Sequence, residues 1–473
     1  MMNSDLMQQF EAIVGERYAL QAPEAIAPYV ADMRKRYDVS SPLVLRPGSV
    51  EEVSAILKLA TATNTAIVPQ GGNTGLVGAG IPLSGGSGDE VMVSLGRMNR
   101  ILDVDADSNT MTVEAGAILA NLQDAADAVD RLFPLSLGSQ GSCQIGGNIS
   151  SNAGGTGVLA YGNTRDLVMG LEAVLPTGEI WNGLSRLRKD NTGYDLKDLL
   201  VGAEGTLGIV TKAVLKLFPK PKGREVAYAA VASPKAALEL LNLAKGHVGN
   251  GLTAFELMAK MGMDFTVRHA PTPTRMPVET PSPWYVLLEI SSGTSAALAR
   301  EQMETVFEEA FERGVVNDAT LAESLDQQNT FWQLREDMSH AQRPEGASIK
   351  HDISVPVGSL PAFIDEADAA VLKIVPQARI VNFGHMGDGN LHYNISQPVG
   401  WNGDDFFAFE PTINDAVYAL IEKYGGSISA EHGIGQMKRD RLAKVKDATA
   451  LMMMRKIKQA LDPAGIMNPG KIL

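Results

Sequence analysis

The sequence predicts an α+β fold made of more than one domain, and three observations predict it. The chain has 473 residues, too many for one small core. Glycine-dense, strand-rich text fills the first part up to FPKPKGRE at 218–225, where Pro, Lys and Gly cluster as the pattern changes. Beyond that point helical segments alternate with separated strands, some readable as hairpins, which suits a largely antiparallel sheet. A hydrophobic content of 45% fits a globular protein. A net charge of −14 argues against nucleic acid or an anionic membrane as the main partner, so an acidic substrate would need a local basic cluster. The single cysteine, Cys143, excludes an internal disulfide framework and fits a reducing cytoplasm. MMNSDLMQQFEAIVGERY has neither a basic segment nor an uninterrupted apolar run, so it does not read as a secretory signal. No apolar run approaches the roughly 20 residues that span a bilayer. A cytoplasmic protein is expected.

Residues 42–70 read as strand, helix, strand. PLVLRP is apolar and extended, Ser49 and Glu52 form a capping box, and Val53, Ile56, Leu57 and Ala60 follow at helical spacing before AIVPQ returns as a strand. Glycine is dense at 71–88 and 138–157, beyond what turns need, which suggests backbone approaching a ligand. PQGGNTGLVGAGIP at 69–82 follows a strand but is closed by Pro82 rather than opening a helix. It lacks the context of a nicotinamide fingerprint, and no GxxxxGK[ST] occurs either. Successive small residues can still turn their N–H groups inward as a nest for a pyrophosphate. GSCQIGGNISSNAGG at 141–155 offers a second such surface, and GAEGTLGIV at 202–210 a third. Further on, SPKAALELLNLAK and SAALAREQMETVFEEAFERG read as helices and WYVLLEIS as a strand. The tail ATALMMMRKIKQALDPAGIMNPGKIL is a helix stopped by Asp462 and Pro463, and its run Met452–Met454 is expected to fill core gaps.

FGHMGDGNLHYN at 383–394 places two of the chain's seven histidines around an Asp-Gly pair. Asp-Gly favours a two-residue type I′ turn, which would pair 385 with 392 and set the Cβ atoms of His385 and His392 about 5 Å apart. Two imidazoles so placed can hold one metal ion or simply pack as a structural pair. Asn394 would point to the same face as His392.

PQGGNTGLVG, IGGNISSNAGG, KDNTGYDLKDLLVGAEGTLGIVT, GHMGDGNLHYN, AEHGIG and DPAGIMNPGK stand in this order along the chain. In that order and spacing the chain resembles the FAD-linked 2-hydroxyacid dehydrogenases, which belong to the vanillyl-alcohol-oxidase-like flavoproteins. The likeness runs from about residue 40 to the end. It implies a two-subdomain FAD-binding domain over 1–222, an α+β substrate domain with a largely antiparallel sheet over 223–425, and a C-terminal segment, 426–473, completing the active site. By motif match, Pro69, Gly71, Gly72, Asn73, Thr74, Gly75 and Leu76 would cradle the pyrophosphate. Gly138, Ser139, Ser142, Gly146, Gly147, Asn152, Gly157, Gly208, Ile209 and Asn468 would line the rest of the FAD. Relatives with covalent flavin often carry histidine where this chain has Asn73, so non-covalent FAD is expected, with Cys143 a small buried residue rather than a tether.

The same resemblance implies a metal centre of His385, His392 and Glu431, suited to Zn²⁺ and tolerant of Mn²⁺ or Co²⁺. Three protein ligands leave a position open, as catalytic sites do. His432 would be the general base, an imidazole with an ordinary pKa of about 6.5. Arg335, Ser339 and Lys350 would bind the substrate, with Asn394 beside them. Arg335 and Ser339 lie one helical turn apart. The plain alternative is that Arg335 pairs with Glu336 or a neighbouring acid on a solvated helix. His340 and His351 are given no role. The substrate implied is a small D-2-hydroxy acid: D-2-hydroxyglutarate, with D-malate second, and D-lactate or glycolate as the alternative within the class. Lys350 bears on that choice, because a monocarboxylate leaves a second cation idle. A metallohydrolase on the histidines, or a non-catalytic flavin subunit, are the readings from other classes. Electrons would pass to an electron-transferring flavoprotein or a quinone, and a homodimer is expected from the same likeness.

Overall fold

The computed structural model describes residues 2–271 and 274–473. The chain forms two compact units, one of Met1–Gly154, Gly162–Lys220 and Glu431–Leu473, the other of Gly155–Tyr161 and Pro221–Ala430. Besides the two boundaries of 155–161, one junction falls inside FPKPKGRE and another between Ala430 and Glu431, not after residue 425 as expected. Nothing in the sequence marks 155–161 as part of the second unit.

The first unit contains two larger sheets. One has four strands in the order Ala19–Leu20, Val44–Leu45, Val91–Ser94, Ile67–Gln70, the last three parallel. The other is a five-stranded antiparallel sheet in the order Ile101–Asp105, Thr110–Glu114, Ile209–Lys216, Val168–Val174, Ile180–Gly183. The helix Val50–Thr63 starts as its sequence requires: Ser49 Oγ accepts from Glu52 N at 3.2 Å. The Glu52 carboxylate returns to Gly48 N at 2.7 Å, one residue earlier than in a strict capping box. A cap of this kind contributes about 1 kcal/mol. Val53, Ile56, Leu57 and Ala60 are the buried stripe.

The C-terminal segment docks on the strand that leads into the first glycine loop. Ile67 N donates to Ile466 O and Asn468 N donates to Ile67 O, both at 2.8 Å. The helix Ala448–Leu461 precedes this segment. Met452 and Met453 are 41% and 56% exposed, so the methionine run does not fill a core. Neighbouring residues lie about 100° apart on a helix, and Leu451 takes the inward position.

The second unit is organised by one seven-stranded antiparallel sheet. Its strands are β1 Gly223–Val231, β2 Leu252–Ala259, β3 Trp284–Ser292, β4 Asp318–Leu321, β5 Ser348–Ser354, β6 Arg379–His385 and β7 Asn390–Ser396, in the order β4-β1-β3-β2-β6-β7-β5. Helices α1 (Lys260–His269) and α2 (Leu325–Ala341) cover one face through Tyr228, Met258, Met263, Leu334, Met338 and Phe383. Cross-strand register lines up Tyr228, Leu287, Glu256 and His385 on that face.

The β6–β7 hairpin corrects the turn expected from Asp-Gly. Phe383 pairs with His392 and Val381 with Asn394, two residues out of the predicted register. The loop has four residues, 386–389, with Asp388 N bonded to His385 O and Gly389 N to Met386 O. Asp388 Oδ1 accepts from Asn390 N at 3.0 Å. Gly389 has φ +88° while Asp388 stays at negative φ, so the two positive values of a type I′ turn are not both present. A shift of two preserves the side of the sheet, because side chains alternate with period two. His385 and His392 therefore still share a face, as diagonal neighbours.

Candidate functional site

The histidine face of the second unit gathers most of the substrate and metal residues expected from the sequence. The rings of His385 and His392 lie 5.7 Å apart, edge to face. Asp352 is the cross-strand partner of His392, and Lys350 that of Asn394, so all four residues stand on one side. Asp352 is buried; Asn390 Nδ2 donates to one of its oxygens at 3.1 Å and Ser429 Oγ to the other at 3.4 Å. Glu431 follows Ser429 by two residues and opens the last segment of the first unit.

Arg335 reaches this face from α2. Its Nε donates to Glu256 Oε2 at 2.8 Å, and its guanidinium carbon lies 4.8 Å from the Phe383 ring centroid. Its partner is thus a strand carboxylate and not Glu336. Nη2 lies 2.7 Å from the same oxygen, so the guanidinium meets Glu256 along its Nε–Nη2 edge. Glu256 is 1% exposed and its other oxygen lies 2.7 Å from His385 Nδ1. Burial alone would raise the Glu256 pKa, but the charges and hydrogen bonds of His385 and Arg335 outweigh it and hold the group at about 2. Ser339 and His340 are exposed at the end of α2. His351 faces the other way, with Nδ1 on Tyr393 O and Nε2 on Asn414 Oδ1.

Glu256 and Asp352 are the functional candidates that the sequence reading missed. Both had a signal. Glu256 is the lone charge in the apolar strand LTAFELMA, and Asp352 stands two residues after Lys350 on a strand, hence on the same face.

The first unit holds a cavity of about 1050 Å³, part of it open to solvent, between its glycine loops. Pro69, Gly71, Gly72, Asn73, Thr74, Gly75, Gly146, Gly147, Gly208 and Ile209 line it, and so does His432. Leu76, Gly138, Ser139, Ser142 and Asn152 do not line it, and Gly157 belongs to the second unit. Asn468 acts from behind, its Nδ2 donating to the carbonyls of Ala79 and Glu204. The first two glycine loops press together at Gly72, where a Cβ would fall 2.2 Å from Ser142 O. Asn73 adopts φ +52° and spends its amide on the carbonyls of Pro28 and Ala31, so it anchors the loop. Cys143 is buried.

The lining fits a large polar cofactor. Gly75 and Gly147 face open space, and the buried Gln144 Oε1 and Asn148 Oδ1 have no hydrogen-bond partner. Glu204, which the sequence reading also passed over, closes the cavity beside His432. Its carboxylate accepts from Ile434 N at 2.7 Å and Gly435 N at 2.6 Å and so fixes the loop that carries His432. Burial pushes the Glu204 pKa up, and these N–H groups with Lys438 and Lys471 only partly offset it.

Comparison with known proteins gives this geometry a context. Residues 41–183 match the family described as FAD binding domain, and residues 220–472 the family described as FAD linked oxidases, C-terminal domain. D-2-hydroxyglutarate dehydrogenase of Stutzerimonas stutzeri is 37% identical, over 99% of this chain and 98% of the relative. The mitochondrial D-2-hydroxyglutarate dehydrogenase of Arabidopsis thaliana is 39% identical, over 100% of this chain and 82% of the relative. Among solved structures, p-cresol methylhydroxylase aligns with a TM-score of 0.78 at 17% identity, over 99% of this chain and 96% of the other. Alkyldihydroxyacetonephosphate synthase aligns with a TM-score of 0.77 at 19% identity, over 99% and 85%. At such identities the last two speak for the fold alone. The expected vanillyl-alcohol-oxidase-type fold is the one observed. Among the described residues, no helix is long and apolar enough to cross a membrane.

Proposed function

The chain belongs to the FAD-linked oxidases, among the D-2-hydroxyglutarate dehydrogenases, and on that premise we propose that it oxidises D-2-hydroxyglutarate, and D-malate second, to the 2-oxo acid. One observation carries the substrate reading. Lys350 shares a sheet face with His385, His392 and Asn394, and Arg335 reaches that face from α2 through Glu256. Two cations suit a dicarboxylate, whereas D-lactate or glycolate, the alternative substrates, would leave one idle.

The glycine loops would hold FAD without a covalent link, and when bound it would supply the acceptor for the C2 hydride. His385, His392 and Glu431 would hold a divalent ion, Zn²⁺ first and Mn²⁺ or Co²⁺ as substitutes, which when bound would supply Lewis acidity at the C2 hydroxyl. The rest is done by side chains. His432 takes the hydroxyl proton, from a loop that Glu204 holds by two backbone N–H groups. Arg335 offers one carboxylate the part of its guanidinium not spent on Glu256, and Lys350 offers a point charge to the other. Ser339 and Asn394 add neutral hydrogen bonds that orient the substrate.

The enzyme works in the cytoplasm as a homodimer and passes its electrons to an electron-transferring flavoprotein or a quinone. The test is a panel of D- and L-2-hydroxy acids with a dye acceptor, before and after EDTA. Turnover of D-2-hydroxyglutarate that is lost with EDTA and restored by Zn²⁺ is the result expected. Preference for an L-acid, or full activity in EDTA, would overturn the reading.

A further inference from the structure

We propose that Glu256 is a positioning residue that couples the metal to the substrate, orienting His385 with one carboxylate oxygen and Arg335 with the other. The proposal rests on the roles given above to His385 and Arg335 and deepens them. Glu256 sits in mid-strand on β2, directly opposite His385 on β6, so the backbone register itself sets the pair. The Oε1–Nδ1 distance is 2.7 Å. With Nδ1 donating to Glu256, Nε2 is the ring nitrogen left to face a metal ion.

The second oxygen holds Arg335 by Nε at 2.8 Å, and Phe383 packs against the guanidinium plane with 4.8 Å from its centroid to Cζ. Nη2 lies 2.7 Å from the same oxygen, so two guanidinium nitrogens rest on Glu256. A pair kept only for stability would not need this division, since a buried ion pair is weak evidence for stability. One carboxylate shared by two partners makes a different demand: its removal must disturb metal and substrate together.

The test uses the flavin-loaded protein, stripped with EDTA and titrated with Zn²⁺ against a competing chelating dye, with kcat and KM measured after reloading. Glu256→Gln should weaken Zn²⁺ binding roughly 10- to 100-fold, the usual effect of losing the group behind a ligating histidine, and also raise KM for D-2-hydroxyglutarate. Arg335→Met, which keeps the Glu256–His385 pair, should raise KM at near-wild-type Zn²⁺ affinity. If Glu256→Gln does not fold because it strands a buried guanidinium, Glu256→Gln/Arg335→Met removes that charge and reports the Zn²⁺ affinity. Wild-type Zn²⁺ affinity in either of these Glu256 variants would overturn the proposal. His385→Ala binding Zn²⁺ as tightly as wild type would instead overturn the metal reading beneath it.

Discussion

Asp368→Asn should stabilise the protein at alkaline pH and lose most of that advantage in acid. Asp368 lies on the helix Leu360–Ile374, where Oδ1 accepts from Tyr393 Oη at 2.9 Å and Asn382 Nδ2 at 3.3 Å. These two partners belong to β6 and β7, the strands that carry the site histidines. Burial, with a smaller push from Asp365, raises the Asp368 pKa from 3.8 to about 6 against the pull of its two donors. The folded state thus keeps a proton that the unfolded chain gives up above about pH 4, so stability falls as pH rises between about 4 and 6 and is flat above. At 1.36 kcal/mol per unit, the ionised carboxylate costs about 3 kcal/mol at pH 8 and about 1 kcal/mol at pH 4.5. Asparagine cannot ionise, and any constant loss from its weaker acceptor cancels in the comparison. The stability difference between variant and wild type should therefore change by about 2 kcal/mol across that window. Thermal midpoints at the two pH values, with hydrogen exchange on residues 379–396, measure it. A difference that does not change with pH, or a variant that is less stable at pH 8 than at pH 4.5 relative to wild type, would refute the reasoning.

Acid or heat precipitation should release about one FAD per chain into the supernatant, because Asn73 is committed to two carbonyls and Cys143 is buried. Flavin retained in the pellet would contradict this. EDTA should abolish turnover while flavin absorbance stays, with Zn²⁺, Mn²⁺ or Co²⁺ restoring activity, and His385→Ala, His392→Ala and Glu431→Ala should behave like the stripped enzyme. Near-normal activity in all three variants would make the histidine pair structural. His432→Ala should lower kcat by roughly 10²- to 10⁴-fold with FAD and metal content unchanged. Metal loss in step with activity would make His432 a ligand instead.

Much of the fold was legible because its signals are local. Ser49 and the stripe Val53, Ile56, Leu57, Ala60 specify a helix from its own residues, and FPKPKGRE shows a junction by composition. The hairpin was readable in its strands and in the shared face of its histidines, but not in its register. There the outcome hung on whether Asp388 adopts positive φ, which Asp-Gly permits but does not force. The methionine run misled because composition does not say which side of a helix faces inward. Glu256 and Glu204 were missed for a different reason. Each acts on a partner distant in sequence, His385 and Arg335 for one, Ile434 and Gly435 for the other, and only the folded chain brings those partners together.

Whether one sheet face reads both carboxylates of a D-2-hydroxy dicarboxylate is tested most directly by kcat/KM for D-2-hydroxyglutarate and D-lactate in wild type, Arg335→Met and Lys350→Met. A hydrogen bond to a charged partner is worth about 1.5–3 kcal/mol, or roughly 10- to 150-fold in kcat/KM. One of the two variants should lose that factor for D-2-hydroxyglutarate and keep its activity on D-lactate, which has no second carboxylate. The other should lose on both. Parallel losses in both variants, or a wild type that prefers D-lactate, would contradict the assignment and favour a monocarboxylate substrate.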